Sequence, residues 1–299
     1  LKDNFISRLR PIDTALLAYI ITEILVILVF LSGMPRWLYV LFFYICAGII
    51  VLLMAVFPYD ESSKGGKAVR ILYPLLLMLF FYRAIGPQLF IVFEDPFDQA
   101  IHQLELSVFG VDPAFALQKY VDVWVNEIMH FGYLSLYLIF PVTIIGFLLA
   151  RRWKSLEKLV LASVLAVGFC FLIHIFFPVA GPRFFLDEIY YLPIVGPLFT
   201  PLARKMVDLT GFYGASLPSS HCAIAFVVLW GISRDIRKLA IPSFFAFILI
   251  CATAVYGRFH YLTDAVAGVI IGVLAVAISS LWYDWFLKNK EREEPKYLE

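Results

Sequence analysis

Apolar residues in this chain run in long blocks separated by short polar connections. Eight blocks stand out, at roughly 13–32, 37–57, 69–90, 124–149, 159–177, 217–233, 240–257 and 263–286. Most reach the length of about 20 residues that crosses ~30 Å of hydrocarbon; those at 217–233 and 240–257 are shorter but adequate. A spanning segment must satisfy its own backbone N–H and C=O groups, so all eight are predicted to be helices. No internal repeat is visible, and the expectation is an all-α, polytopic helix bundle forming one integral membrane domain. Its parts are 1–95, three N-terminal spans; 96–123, an interfacial segment; 124–287, the core; and 288–299, a tail.

Two stretches do not fit a span. Over 96–120, Phe97, Ile101, Leu104 and Val108 share one helical face, while Asp98, Gln99, His102 and Glu105 lie elsewhere. This predicts a helix lying in the membrane interface; it either steers lipid toward a site or simply packs between two spans. The 181–216 connection carries Gly181, Gly196, Gly211 and Gly214 and four prolines. A loop of that length leading into a motif is often functional.

Composition agrees with a membrane protein: 62% of residues are hydrophobic, 16% are charged, and the mean hydropathy is +0.87. A soluble domain carries more charge. There is no basic tract to bind nucleic acid, and the net charge of +1 points to no partner. Cys46, Cys170, Cys222 and Cys251 sit in apolar runs without CxxC spacing and read as buried thiols. The first apolar run is too long for a signal-peptide core and reads as a retained helix.

Charge sets the orientation. With eight spans both termini share a side, and that side collects 17 of the 24 lysines and arginines, from Lys2, Arg8 and Arg10 to Lys288, Lys290, Arg292 and Lys296. The positive-inside rule makes that side cytoplasmic. The compact loops favour a bacterial plasma membrane.

Two strings then fall on the extracytoplasmic side. In Leu217-Pro218-Ser219-Ser220-His221, proline suits the first turn of a helix and Ser216 is placed to cap it. The free N–H groups and positive dipole end of that helix suit phosphate, with Ser219 and Ser220 adding hydroxyls. In Arg258-Phe259-His260-Tyr261-Leu262-Thr263-Asp264, His260 and Asp264 are spaced to share a helix face. The carboxylate would then fix the imidazole tautomer and free the other nitrogen. Arg258 flanks this pair and Arg183, in Gly181-Pro182-Arg183, ends the fifth span on the same face; both are candidate phosphate clamps. Each string alone is compatible with a plain helix end. Their clustering at one bilayer surface is what calls for chemistry.

These strings resemble the type 2 phosphatidic acid phosphatase superfamily, most closely its branch with fungal inositol phosphorylceramide synthases. Pro218, Ser219, Ser220 and His221 match its second motif. His260, Tyr261, Leu262, Thr263 and Asp264 match the third motif of the branch, and Asp98 to Pro113 resembles its segment before the core. The resemblance covers roughly 95–285. The chain departs from many members in its first motif, where Phe176 stands at the lysine position and the order is Pro182-Arg183. Ala254 stands where an upstream arginine is usual, with Arg258 one turn later.

The resemblance implies a membrane enzyme that cleaves a lipid phosphoester. His260 is the implied nucleophile, Asp264 its orienting group, and His221 the general acid and base. Arg183, Arg258, Ser219 and Ser220 bear the phosphate charge, with no metal or other cofactor. The implied substrate is a lipid phosphate or phospholipid, and the acceptor is water or a lipid or polyol hydroxyl. Arg83, inside the third span, is a further phosphate candidate, and His130, Tyr133 and Tyr261 are candidate pocket walls. His174 reads equally as a packing histidine, and Glu23 as structural or snorkelling. A transporter or flippase is the competing class; the chain lacks the repeated halves and broken helices that transporters often show.

Overall fold

The computed structural model describes residues 8–34, 36–57 and 63–293, with side chains to 289. Lys2 and Lys296 lie outside the described residues, as does half of the 288–299 tail. The fold is all-helical, with 81% helix and no strand among the described residues.

Every expected apolar block is a helix. They are α1 (Pro11–Phe30), α2 (Trp37–Val56), α3 (Lys64–Ile85), α6 (Val123–Leu149), α7 (Trp153–Phe176), α10 (Ser220–Asp235), α11 (Ala240–Tyr256) and α12 (Leu262–Glu293). Between them lie α4 (Asp98–Phe109), α5 (Pro113–Ala116), α8 (Pro182–Phe185) and α9 (Phe199–Thr210). Among the described residues seven helices are long and apolar enough to span; α10, the sixth expected span, is not one of them. It has 16 residues, about 24 Å of rise. Pro218 does not open it: the helix starts two residues later, with Ser219 as its N-cap. α10 still runs the depth of the bundle, packed against α7, α11 and α12.

Ion pairs pin one end of that bundle. Asp13 of α1 binds Arg70 and Tyr73 of α3. Glu157 of α7 binds Arg10 at 2.9 Å and the Tyr283 hydroxyl. Lys158 meets Asp284 at 2.7 Å, and Arg152 donates to the Asp235 carbonyl at 2.6 Å. The start of α1, the α6–α7 connection, the end of α10 and the far part of α12 therefore share one end. The opposite end gathers the 177–183, 211–219 and 257–262 connections.

The core centres on α7, whose Leu159 to Ala162 are fully buried. Exposed leucine, isoleucine, valine and phenylalanine side chains cover the outer faces of α1, α2, α6 and α11. That is the surface a helix shows to lipid, not to water. α10 and α12 approach closely at Gly268, where a Cβ would stand 2.2 Å from the Ser219 carbonyl.

The segment expected at the interface contains a helix, but α4 turns the other way round from a simple apolar-inward packing helix. Its buried residues are Asp98, Ile101 and Glu105, while Leu104 and Val108 are 48% and 63% exposed. Two carboxylates point inward because unpaired backbone donors wait there. Asp98 accepts from Ala180 N at 2.7 Å and Gly181 N at 2.8 Å, and Glu105 from Thr263 N at 2.7 Å. Burial pushes the Glu105 carboxyl up from its ordinary pKa.

Candidate functional site

Three connections build the site. Val179 and Ala215 form an isolated parallel bridge, closed by Val179 N to Gly214 O at 3.0 Å and Ser216 N to Val179 O at 2.9 Å. Gly181 lies beside it with φ +101°, and a Cβ there would come within 3.1 Å of both Ser216 Oγ and the Phe259 carbonyl. Only glycine lets the loops meet this closely. Across from it, the Ala254 carbonyl accepts from both Phe259 N and His260 N, which folds the turn into α12. Ser219 N donates to the Asp264 carbonyl at 2.9 Å, locking the start of α10 to the start of α12.

His221 and His260 face one pocket, with ring centroids 6.4 Å apart. His260 precedes α12, so the pair expected on one helix face is made differently. Its Nδ1 is 3.6 Å from Asp264 Oδ2, too far for a hydrogen bond. Ser216 stands between them. Its Oγ lies 2.6 Å from Asp264 Oδ2 and 3.1 Å from His260 Nδ1, and its carbonyl lies 3.0 Å from the same nitrogen. The serine hydroxyl has one proton, and a buried carboxylate only accepts, so Ser216 donates to Asp264. In the neutral ring, Nδ1 then carries the proton toward the serine oxygens and Nε2 keeps its lone pair. Asp264 is fully buried and also takes Tyr261 N at 3.0 Å. Ser216, expected to cap α10, works here instead.

His221 is framed by α6. Tyr133 stacks on its ring at 4.8 Å and 24°, and the Tyr137 hydroxyl lies 2.7 Å from Nε2. The pocket holds about 60 Å³, room for about two waters. Arg183, Ser220 and Tyr82 also line it. Arg183 is half-buried, held by Asp208 at 2.7 Å and lying over the Phe184 ring. Tyr82 comes from α3, packed between Phe171 and Phe212.

A second cavity of about 450 Å³ adjoins the first, and Arg183, Phe184 and Phe259 line both. Its other charged residues are Arg258, Arg204, Asp187 and Asp208. Arg258 thus stands off the histidine pocket. Its Nη2 donates to the Leu192 carbonyl at 2.7 Å, and its guanidinium lies 4.3 Å from the Tyr190 ring centroid. Burial pushes the pKa of Arg258, and likewise of Arg204, down from the ordinary arginine value. Glu127 of α6 fixes α9, and with it Arg204, by accepting from Leu198, Phe199 and Thr200 N–H groups.

Other expected residues lie apart from the histidines. The Ser219 hydroxyl faces its own helix, accepting from Cys222 N as the cap, and is fully buried. Arg83 is exposed on α3, 5.9 Å from the Phe212 ring. His130 lies behind Phe259, its Nδ1 against the Asn126 carbonyl at 2.7 Å. Tyr261 does not wall the pocket: it is buried, and its hydroxyl donates to Asp98 Oδ1 at 3.1 Å. His174 packs with Nε2 against the Pro218 carbonyl at 3.0 Å. All four cysteines are free.

Sequence reasoning did not single out Tyr137, Arg204 or Tyr82, or the role that Ser216 plays. The one available signal was for Tyr137, four residues after Tyr133 and so on the same face of α6.

Residues 99–278 match the sequence model of the PAP2 superfamily. Over 140 residues the chain is 29% identical to a PA-phosphatase related-family protein of Dictyostelium discoideum, a stretch that covers 45% of this chain and 24% of that protein. The chain therefore spans about a quarter of the length of the curated relative it matches. No solved structure matches it.

Proposed function

This chain belongs to the PAP2 superfamily, and from that premise we propose that it cleaves a lipid phosphoester at the membrane surface through a phosphohistidine. The observation that carries the reading is the His260–Ser216–Asp264 chain facing His221 across one pocket. His260 Nε2 attacks phosphorus in line, forming the N–P bond as the ester P–O bond breaks. Its Nδ1–H stays on Ser216, and the buried Asp264 carboxylate balances the growing imidazolium charge. His221 gives a proton to the leaving oxygen, then takes one from the acceptor that attacks the phosphohistidine. Arg183 and the N–H groups at the start of α10, with the Ser220 hydroxyl, stabilise charge on the phosphoryl oxygens. These donors replace a metal ion in the reading.

The site end of the bundle is read as extracytoplasmic, and the basic end as cytoplasmic, from the lysine and arginine bias. Labelling of cysteines introduced into the 181–216 loop of a cysteine-free chain in intact cells tests this. Protection of the loop from an impermeant reagent would reverse the orientation.

Water as acceptor gives a lipid phosphatase. One observation favours a second reading, a head-group phosphotransferase of the inositol phosphorylceramide synthase type. The 450 Å³ cavity beside the histidines is lined by both arginines and aspartates, a donor and acceptor set suited to a hydroxyl-bearing group. The test is release of phosphate from a panel of lipid phosphates by purified chain in excess chelator, with His260→Ala and His221→Ala beside it. Release that persists in chelator and is lost in both variants is expected for the phosphatase. No free phosphate, but loss of the donor lipid and a phosphorylated alcohol product when a lipid or polyol alcohol is added, identifies the transferase. Release that survives in His260→Ala would overturn the mechanism.

A further inference from the structure

Outside the histidine pocket, α1, α2 and the turn after α3 enclose a polar cluster that the proposed reaction does not use. Glu23 of α1 is fully buried, and neither carboxylate oxygen has a hydrogen-bond partner. It does not snorkel. Its carboxyl faces Tyr19, Tyr44 and Gln88, near enough to interact with each but out of hydrogen-bond geometry with all three. The Tyr19 hydroxyl and Gln88 Oε1 are also buried without partners. Gln88 Nε2 is already committed, donating to the Tyr44 hydroxyl at 3.2 Å and the Ala84 carbonyl at 3.1 Å.

Five oxygen atoms gather here, two from Glu23 and one each from Tyr19, Tyr44 and Gln88, with the Gln88 amide nitrogen held on the Tyr44 hydroxyl and the Ala84 carbonyl. The titratable groups facing Glu23 are Tyr19 on its own helix and Tyr44 on α2. α3 meets the cluster with Phe81, packed on both tyrosines, and α7 meets Tyr19 with Gly168. No lysine, arginine or histidine stands against the carboxylate among the described residues. A carboxylate inside a membrane span, without a counter-charge, is strongly disfavoured.

We propose that Glu23, Tyr19, Tyr44 and Gln88 form a buried binding site for one monovalent cation, a proton or a sodium-sized alkali ion. The charge balance fixes the valence, because one carboxylate neutralises one positive charge. A divalent ion would leave a net charge in the bilayer. The ligand set fixes the class, since all-oxygen donors suit a hard cation. Each source satisfies the orphaned atoms in its own way. A proton on Glu23 donates to Gln88 Oε1 while the tyrosine hydroxyls donate to the other carboxyl oxygen. An alkali ion takes the carboxylate, the amide oxygen and the phenol oxygens as ligands. The site couples three helices at once, and Phe81 of its wall adjoins Tyr82, which lines the histidine pocket.

The test is thermal unfolding of the purified full chain in detergent. Sodium chloride is exchanged for tetramethylammonium chloride at constant ionic strength, from mildly acid to alkaline pH. A cation held only by the folded chain raises the midpoint as its concentration rises. A sodium site gives a midpoint that climbs with sodium at alkaline pH. A proton site gives a midpoint that falls as pH rises, indifferent to sodium, because the folded chain holds a proton that the unfolded chain releases. In Glu23→Gln, which is neutral without any cation, the response is expected to vanish. Tyr19→Phe keeps the carboxylate and removes one oxygen, so it weakens a sodium response and spares a proton response; it also serves if Glu23→Gln does not fold. A wild-type midpoint flat on both axes, or the same profile in Glu23→Gln, overturns the proposal.

Discussion

Replacing Ser216 by alanine isolates the link between His260 and Asp264. The carboxylate loses the hydroxyl donor at 2.6 Å and keeps Tyr261 N–H, while Asp264 Oδ1 already lacks a partner. His260 Nδ1 keeps the Ser216 carbonyl at 3.0 Å, so the tautomer survives. What disappears is the path by which the buried charge reaches the imidazole, since the two groups are 3.6 Å apart. A hydrogen bond to a charged group contributes about 1.5–3 kcal/mol. Applied to the phosphorylation step, that lowers the rate roughly 10- to 150-fold. The same loss in the resting protein lowers the unfolding midpoint, so the rate is normalised to folded chain. The assay is single-turnover phosphoryl transfer from the best lipid substrate of the panel, alongside Asp264→Asn, which removes the charge itself and is expected to cost more. A Ser216→Ala rate within about threefold of wild type would mean that histidine and carboxylate couple directly, and the bridging role of Ser216 would be wrong.

Three further outcomes are expected. Tyr137→Phe removes a half-exposed hydrogen bond to His221 Nε2, worth about 0.5–1.5 kcal/mol net, so the rate per folded chain falls about 2- to 12-fold with a small drop in the unfolding midpoint; a faster variant would mean that Tyr137 competes with the leaving oxygen. Gly268→Ala drives a methyl into the Ser219 carbonyl and separates α10 from α12, costing about 1–3 kcal/mol of stability and most activity, measured by thermal unfolding and phosphate release. Asp98→Asn sets an amide against the N–H groups of Ala180 and Gly181, lowering stability by about 1–3 kcal/mol; an unchanged midpoint would show that the 177–183 loop does not rest on α4.

The helical bundle is legible in the sequence because lipid solvation leaves a simple signature, runs of apolar residues of one length. α10 departs from it. It is enclosed by α7, α11 and α12, so its length answers to neighbouring helices instead of to bilayer thickness. The histidines are legible for a related reason: each sits within a short string at a helix start. What reaches them from afar is not. Ser216 meets His260 and Asp264 across 44 and 48 residues, and Tyr137 meets His221 across 84. No periodicity reports such a meeting. α4 misleads in another way. Its carboxylates sit where periodicity assigns a polar outer face, yet the backbone donors of two loops draw them inward.

Tyr82 belongs to α3, outside the residues 99–278 that carry the family match, yet its ring is part of the wall around His221 and His260. Phe90, just beyond that helix, likewise sits where a Cβ on Gly214 would fall, 2.7 Å away. The shared family region therefore does not build the whole pocket by itself. A chain begun at residue 96 would lose the Tyr82 wall of the pocket, and the loop that carries Phe212 and Gly214 would lose its packing on Tyr82 and Phe90. Relatives that share 99–278 but carry other helices in front would enclose the same two histidines in a differently shaped space. On the proposed reading, substrate selectivity would then change without any change in the motifs.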